Sequence, residues 1–264
     1  MEKDLILEIE NLSLTLGGNP ILRDVTFSVP EGQYLSVVGP NGAGKSSLLK
    51  CLMGIWSNWS GIVRVRGRSS SEMTQKQLAA RICYVPQADG RLFPFTVRQF
   101  VLMGRYPHHS PFTYTGADDF EIVDEALALT GTTRFAQRDI RTLSGGERQK
   151  VFIAGALAQG AEVLLLDEPT TFLDPLHASE VQSLLHTLNR DSEVTILAVT
   201  HDINHAALYS DRVMALVDGE LVFDGLPEVF MDNVVLERIY GRSFAFVQHP
   251  VTGRPVVVPE GPGP

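Results

Sequence analysis

Cysteine is nearly absent. The chain has two among 264 residues, Cys51 and Cys83, and their spacing is not that of metal ligands. This excludes a disulfide framework and a cysteine-built zinc site, and it suits a reducing compartment in which both thiols act as small apolar core residues. Positive charge is also short: 22 Lys and Arg face 31 Asp and Glu, a formal net charge of −9. Wrapping a nucleic acid needs the opposite balance, so no nucleic-acid partner is expected. The one basic run, Arg134, Arg138, Arg141, Arg148 and Lys150, reads as a solvated or partner-facing surface. Long apolar runs are missing too. "VLLL" and "FVLM" fall far short of the ~20 residues needed to cross a bilayer, so the chain is not expected to span a membrane by itself. The opening "MEKDLILEIENLSLTLGG" is charged from the start and alternates like a strand, unlike a signal peptide. There are no internal repeats and no low-complexity tract beyond a Gly/Pro-rich tail at 260–264, which is expected to fray.

What is present is an ordinary globular composition, 44% apolar and 20% charged, in a chain long enough for a full core. "LILEIENLSLTL" and "ILRDVTFSV" alternate with period two, and "YLSVVG" is a short buried strand running into a glycine turn. "KSSLLKCLMGI" has helical apolar spacing, and "GIVRVRG" and "RICYVPQ" read as further strands. From about Gln87 to Gly160 the pattern turns helical, in "TVRQFVLMGR", "ADDFEIVDEALALTG" and "GGERQKVFIAGALAQG". In the second of these, Phe120, Val123, Leu127 and Thr130 are spaced to line one face. Strand-like "EVLLLDE", "VTILAVTH", "RVMALVDG" and "ELVFDG" then alternate with helical segments, as in a mostly parallel sheet with crossover helices. The fold class is therefore α/β: a nucleotide-type core, about 1–87 and 161–240, interrupted by a helical subdomain at about 88–160. A short extension follows at about 241–264.

The chemistry starts at "GPNGAGKSS", residues 39–47, which fits G-x-x-x-x-G-K-[ST] between a strand and a helix. Gly39, Gly42 and Gly44 let the backbone curl so that N–H groups point at phosphate oxygens, and the following helix adds its dipole. Pro40, Asn41, Ala43 and Ser47 complete the expected ATP cradle. Lys45 supplies charge for the β- and γ-phosphates, and the Ser46 hydroxyl can ligate Mg²⁺. Downstream, "VLLLDEP" puts Asp167 and Glu168 at the carboxyl end of a buried strand, where open α/β sheets hold ligands. Asp167 would hold the metal shell and Glu168 would polarise the attacking water.

A second glycine-rich helix start occurs in "RTLSGGERQK". Ser144 and Glu147 fit a capping box, which accounts for the serine and the glutamate but not for Gly145 and Gly146. Two glycines in a first turn cost up to about 1 kcal/mol each against alanine, so something is expected to approach that backbone closely. One triphosphate cannot be wrapped by two loops on different subdomains of a rigid chain. It can be sandwiched if the second loop comes from another copy, with Ser144, Gly145 and Gly146 holding the γ-phosphate bound at the twin's Lys45 loop.

Taken in order, "GPNGAGKSS", "YVPQ", "LSGGERQ", "LLLDEPT", "FLD" and "VTHD" resemble the ATP-binding-cassette (ABC) ATPases, a P-loop fold with an antiparallel β subdomain and an inserted α-helical subdomain. The resemblance covers nearly the whole chain. It implies ATP and Mg²⁺ as cofactors and a homodimer formed head to tail around two ATP molecules. It also extends the second loop to Leu143–Glu147. By the same resemblance, Gln87 touches Mg²⁺ or the attacking water and heads the segment facing a membrane partner. Asp174 in "TTFLDP" communicates across the dimer, and His201 in "VTHD" contacts the γ-phosphate and positions the water of Glu168. One position departs from the family: Leu16 stands before Gly17-Gly18, where an aromatic residue usually stacks on adenine.

Two segments carry competing readings. "HDINH" (201–205) has histidines at i and i+4 like a zinc-protease helix, against a phosphate-sensing His201 and an incidental His205. "GRYPHHSPF" (104–112) is read as a docking loop for a membrane subunit, with metal binding as its alternative. Together with "TTFLDP" and "FVQHPVTGRPVVVP", a hairpin closed around "PVTGRP", it resembles the ATPase subunits of importers for iron chelates, haem and cobalamin. That implies two separate permease subunits, a substrate-binding protein, and a peripheral location on the cytoplasmic face of the inner membrane. Two other readings stand beside it: a stand-alone ABC ATPase acting mechanically on a nucleic acid or ribosome, and a scaffold that binds ATP without turning it over.

Overall fold

A computed structural model describes residues 4–87, 94–110 and 115–258. The terminal tail at 260–264 and the "PF" of the 104–112 segment lie outside the described residues. The chain forms two compact units, 1–70 with 196–264, and 71–195.

The first unit begins with β1 (Leu5–Leu16) and β2 (Asn19–Pro30), an antiparallel pair joined by the Gly17-Gly18 turn. Leu7, Ile9, Leu12 and Leu14 are buried, but the alternation is interrupted at Asn11, whose φ of 50° accompanies a register shift between Ile9 and Leu12. β3 (Tyr34–Val38) is buried at every residue and leads through 39–44 into α1 (Lys45–Leu52). β4 (Trp59–Val65) pairs with β1, and the short β5 (Arg68–Ser69) completes a four-stranded sheet of order β2-β1-β4-β5.

The second unit holds α2 (Gln75–Ala79), β6 (Ile82–Val85), α3 (Val97–Met103), α4 (Ala117–Leu129), α5 (Gly145–Ala158), β7 (Val163–Asp167) and α6 (Pro175–Ser192). β6 and β7 run parallel, Ile82 beside Val163 and Val85 beside Leu166. α3, α4 and α5 close over Val97, Val101, Val123, Leu127, Val151 and Ala154. The buried face of α4 differs from the sequence expectation. Val123, Leu127 and Thr130 are buried, but Phe120 is 39% exposed and Asp119 is turned inward instead. The reason is electrostatic. Asp119 accepts from Arg105 Nε at 3.0 Å, pairs with His109 Nε2 at 2.9 Å and accepts from the Gly116 N–H at 3.0 Å. These bonds favour the ionised carboxylate, the Gly116 bond most and Arg105 next, and hold its pKa down to about 2.

The chain returns to the first unit through β8 (Thr195–Val199), α7 (Ile203–Tyr209), β9 (Arg212–Val217), β10 (Glu220–Gly225), α8 (Pro227–Phe230), α9 (Asn233–Tyr240), β11 (Ala245–Gln248) and β12 (Pro255–Val258). β3 lies between β8 and β9, parallel to both, and β10 is antiparallel on β9. β3, β8 and β9 are largely apolar and buried along their length because they are covered on both faces. The hairpin expected around "PVTGRP" forms, with Ala245 opposite Val258 and Gln248 opposite Pro255. It is held to α7 by Asn204, which donates to Val257 O and accepts from Val257 N. No helix of the described residues is long and apolar enough to cross a membrane.

Candidate active site

In the first unit, the loop after β3 has the shape its sequence requires. Gly39 has φ 137°, and a Cβ there would sit 2.0 Å from the Leu216 carbonyl oxygen; at Gly44, φ 96°, it would sit 2.7 Å from the Ile21 oxygen. No side chain fits either position, so β3 and α1 can meet only through glycine. Asn41 and Gly42 are exposed at the crown of the loop, Pro40, Ser46 and Ser47 are half-buried, and Ala43 is buried. Gly44 caps α1 without any side-chain hydrogen bond, so no side chain blocks the first-turn N–H groups from an anion. Lys45 is 5% exposed, and its ammonium donates to Gly39 O at 2.8 Å and Pro40 O at 2.9 Å. The loop thereby holds a buried positive charge at its mouth. Leu16 is half-buried at the end of β1.

His201 also belongs to this unit and is exposed just beyond β8. Asp202 is committed to capping α7, accepting from His205 N at 2.9 Å. His205 faces the core, stacks on Tyr209 with ring centroids 5.0 Å apart, and is pushed down to about 4 by burial. The two histidines thus point into different surroundings and build no shared zinc site.

In the second unit, Asp167 ends the fully buried β7 and accepts from the Tyr84 hydroxyl at 2.9 Å. Glu168 follows with φ 52°, a left-handed conformation unusual for a non-glycine residue. Its Oε2 accepts from Gln87 Nε2 at 3.3 Å and from Thr171 Oγ1 at 3.0 Å. Gln87 and Glu168, 81 residues apart in sequence, are therefore brought together. Tyr84 and Thr171 also belong to the site, and although both lie inside the motifs, spacing alone gives neither a role. Tyr84 is placed by its register beside Leu165, a relation visible only once β6 and β7 are paired.

The second helix start is a full capping box: Ser144 Oγ accepts from Glu147 N, and Glu147 Oε2 accepts from Ser144 N at 2.9 Å. Leu143 is buried against the helical core. Asp174 caps α6, Oδ1 accepting from Leu176 N and His177 N, while Oδ2 takes His177 Nδ1 at 2.5 Å. The His177 ring hydrogen bond, then the backbone one, hold the Asp174 carboxyl below the usual carboxylate range. The close approach expected at this glycine backbone is present. A Cβ on Gly146 would sit 2.6 Å from His177 Cβ, so the chain itself supplies a close approach that the glycine accommodates. A ligand is not required to explain it.

Two members of the basic run are paired with acids nearby, and two others lie over an aromatic ring. Arg141 grips Asp139, Lys150 pairs with Glu180 at 2.5 Å, and Arg134 and Arg138 lie over Phe135. Both cysteines are buried thiols, pushed up to about 12 by burial.

Residues 22–171 match the ABC transporter family. The chain is 39% identical to the iron(3+)-hydroxamate import ATP-binding protein FhuC of Bacillus subtilis, over 95% of this chain and 93% of that one. It is 38% identical to the ferric enterobactin transport ATP-binding protein FepC of Escherichia coli, over 96% and 93%. Among solved structures, it is similar to an ABC transporter of metal-chelate type in an inward-facing conformation, with TM-score 0.85, 28% identity and 98% of each chain covered. It is also similar to the dimeric bacterial ABC transporter cassette MJ0796, with TM-score 0.72, 27% identity, and 84% of this chain and 98% of that one covered.

Proposed function

The chain belongs to the ABC transporter family of ATPases, and we propose that it is the ATP-hydrolysing subunit of an importer that takes up a metal chelate. The names of the relatives, hydroxamate and enterobactin import proteins, support the chelate class. The reading carries with it two permease subunits, a substrate-binding protein and a peripheral position on the cytoplasmic face of the membrane. No described feature favours a stand-alone mechanical ATPase.

The carrying observation is the pair of Gln87 and Glu168 held in hydrogen-bond contact at the end of β7. In this reading the 39–47 loop and the α1 start bind the triphosphate, and Lys45 gives up its loop carbonyls for phosphate oxygens. Glu168 takes a proton from the attacking water. Its backbone is fixed in a strained turn, and Gln87 and Thr171 hold its carboxylate. His201 holds the γ-phosphate end. Asp167 and the Gln87 amide oxygen offer oxygen ligands, the kind Mg²⁺ prefers, and would hold it. When bound, the ion offsets negative charge on the β- and γ-phosphates.

The second loop, Leu143–Glu147, serves ATP held by another copy in a head-to-tail homodimer, with Asp174 at the junction. A dimeric solved relative supports this assembly. So does the turn before α6, where Phe172 has φ 64° and is 83% exposed and Leu176 is 66% exposed. A strained, exposed aromatic of this kind is costly in a lone chain and suits a surface that a second copy covers. Met103 (45% exposed) and Tyr106 (76%) present an apolar surface for the permease. The segment carrying them is pinned from behind by the Arg105–Asp119–His109 cluster and by His108 on Gln159 O. Residues 88–160 form the helical subdomain in this reading.

Glu168→Gln tests it. The variant should bind ATP, double in mass by light scattering with ATP but not ADP, and lose about 10²-fold or more in turnover. Normal turnover would remove Glu168 as the base.

A further inference from the structure

The structure assigns His177 as a positioning residue that locks the Ser144–Gly146 helix start to the Asp174 turn, so that the two move as one piece. This rests on the reading that these two segments meet a second copy and its triphosphate.

His177 touches both segments. Its ring and Cβ lie against the bare backbone of Gly146: a Cβ placed there would meet His177 Cβ and Cδ2 at 2.6 Å and Cγ at 2.7 Å. On its other side, Nδ1 is 2.5 Å from Asp174 Oδ2. A carboxylate can only accept, so Nδ1 carries the proton and the ring orientation is set by Asp174. Asp174 is itself fixed, because its other oxygen accepts from Leu176 N and His177 N. Leu173 closes the remaining side, with Cδ2 3.1 Å from where a Cβ on Gly145 would be.

One turn further along, Lys150 on α5 pairs with Glu180 on α6 at 2.5 Å. Lys150 follows Gly146 by four residues and Glu180 follows His177 by three, so both ties lie on the same pair of helix faces. The surface pair is worth little by itself, whereas the ring against backbone allows almost no slack. The direction in which the first-turn N–H groups of α5 point is thus set by where Asp174 holds the imidazole. A displacement of the Asp174 turn reaches the phosphate-facing helix start directly, through one side chain.

Two measurements test this on the full chain. In the Glu168→Gln background, His177→Ala should raise the ATP concentration for half-maximal dimerisation by about tenfold, the loss of one charge-assisted hydrogen bond. ATP affinity of the monomer, titrated at protein concentrations below dimerisation, should stay the same. His177→Asn, whose amide can still donate to Asp174, should recover most of the loss. An unchanged midpoint, or equal loss in Ala and Asn, overturns the assignment. The second measurement needs no nucleotide. Gly146→Ala should lower the melting temperature beside His177 and much less beside His177→Gly, because the added methyl then meets neither the His177 Cβ nor its ring. Additive effects overturn the assignment whether or not the chain dimerises. A Glu168→Gln chain that stays monomeric with ATP, while this coupling persists, removes the dimer reading and leaves the Gly146–His177 contact standing.

Discussion

At the residue scale, the roles of Lys45 and Glu168 rest on different kinds of support. Lys45 is a buried cation whose ammonium hydrogen-bonds the carbonyls of Gly39 and Pro40, within a loop where Gly39 and Gly44 leave no room for a Cβ. Lys45→Ala removes that charge at the loop mouth, and ATP affinity should fall by more than about tenfold in calorimetric titration, a charged contact being worth at least 1.4 kcal/mol. Unchanged affinity would detach Lys45 from the phosphates. Glu168 owes its placement to a left-handed turn that no spacing rule announces. The sequence identifies the carboxylate at the end of an apolar run; only the fold shows that Gln87 and Thr171 hold it. Gly146 teaches the reverse. Its oddity was legible as a cost without a local reason, but the cause lies across a helix crossing, in His177.

At the element scale, most strands and helices were visible in the periodicity of their apolar residues, because β3, β7, β8 and β9 are continuous buried runs and the helices carry ordinary spacing. α4 is the exception. Its inward residue Asp119 looks like a solvent-facing acid until Arg105 and His109, ten to fourteen residues upstream, fold back on it. This cluster anchors the start of α4. Breaking it with Asp119→Asn should cost about 3 kcal/mol at neutral pH, since Arg105 and His109 then lose a largely buried partner. The pH dependence follows from the sign of the shift. The carboxyl is depressed in the folded chain to about 2 from 3.8, so its contribution is complete above about pH 4 and is lost as pH falls toward 2. The gap in melting temperature between wild type and Asp119→Asn should narrow across that window. A gap that stays constant down to pH 2 would show that Asp119 acts by shape and not by charge.

At the scale of the whole molecule, the fold family was legible because six short motifs occur in one order, each tied to a strand end or a helix start. What one chain cannot display is its complement. The Lys45 loop and the Ser144 helix start are both built with helix N-termini suited to anions, yet they belong to different units of the chain. The proposed sandwich gives each a use. It makes every functional site a composite of two copies, and it can be tested by mixing two inactive variants. Lys45→Ala and Ser144→Arg chains should each be inactive alone, since every site in either homodimer lacks one half. Mixed in equal amounts, they should regain about a quarter of wild-type ATPase activity, because half the dimers are hybrids and each hybrid has one complete site. No recovery on mixing, or full activity of Ser144→Arg by itself, would contradict the shared site.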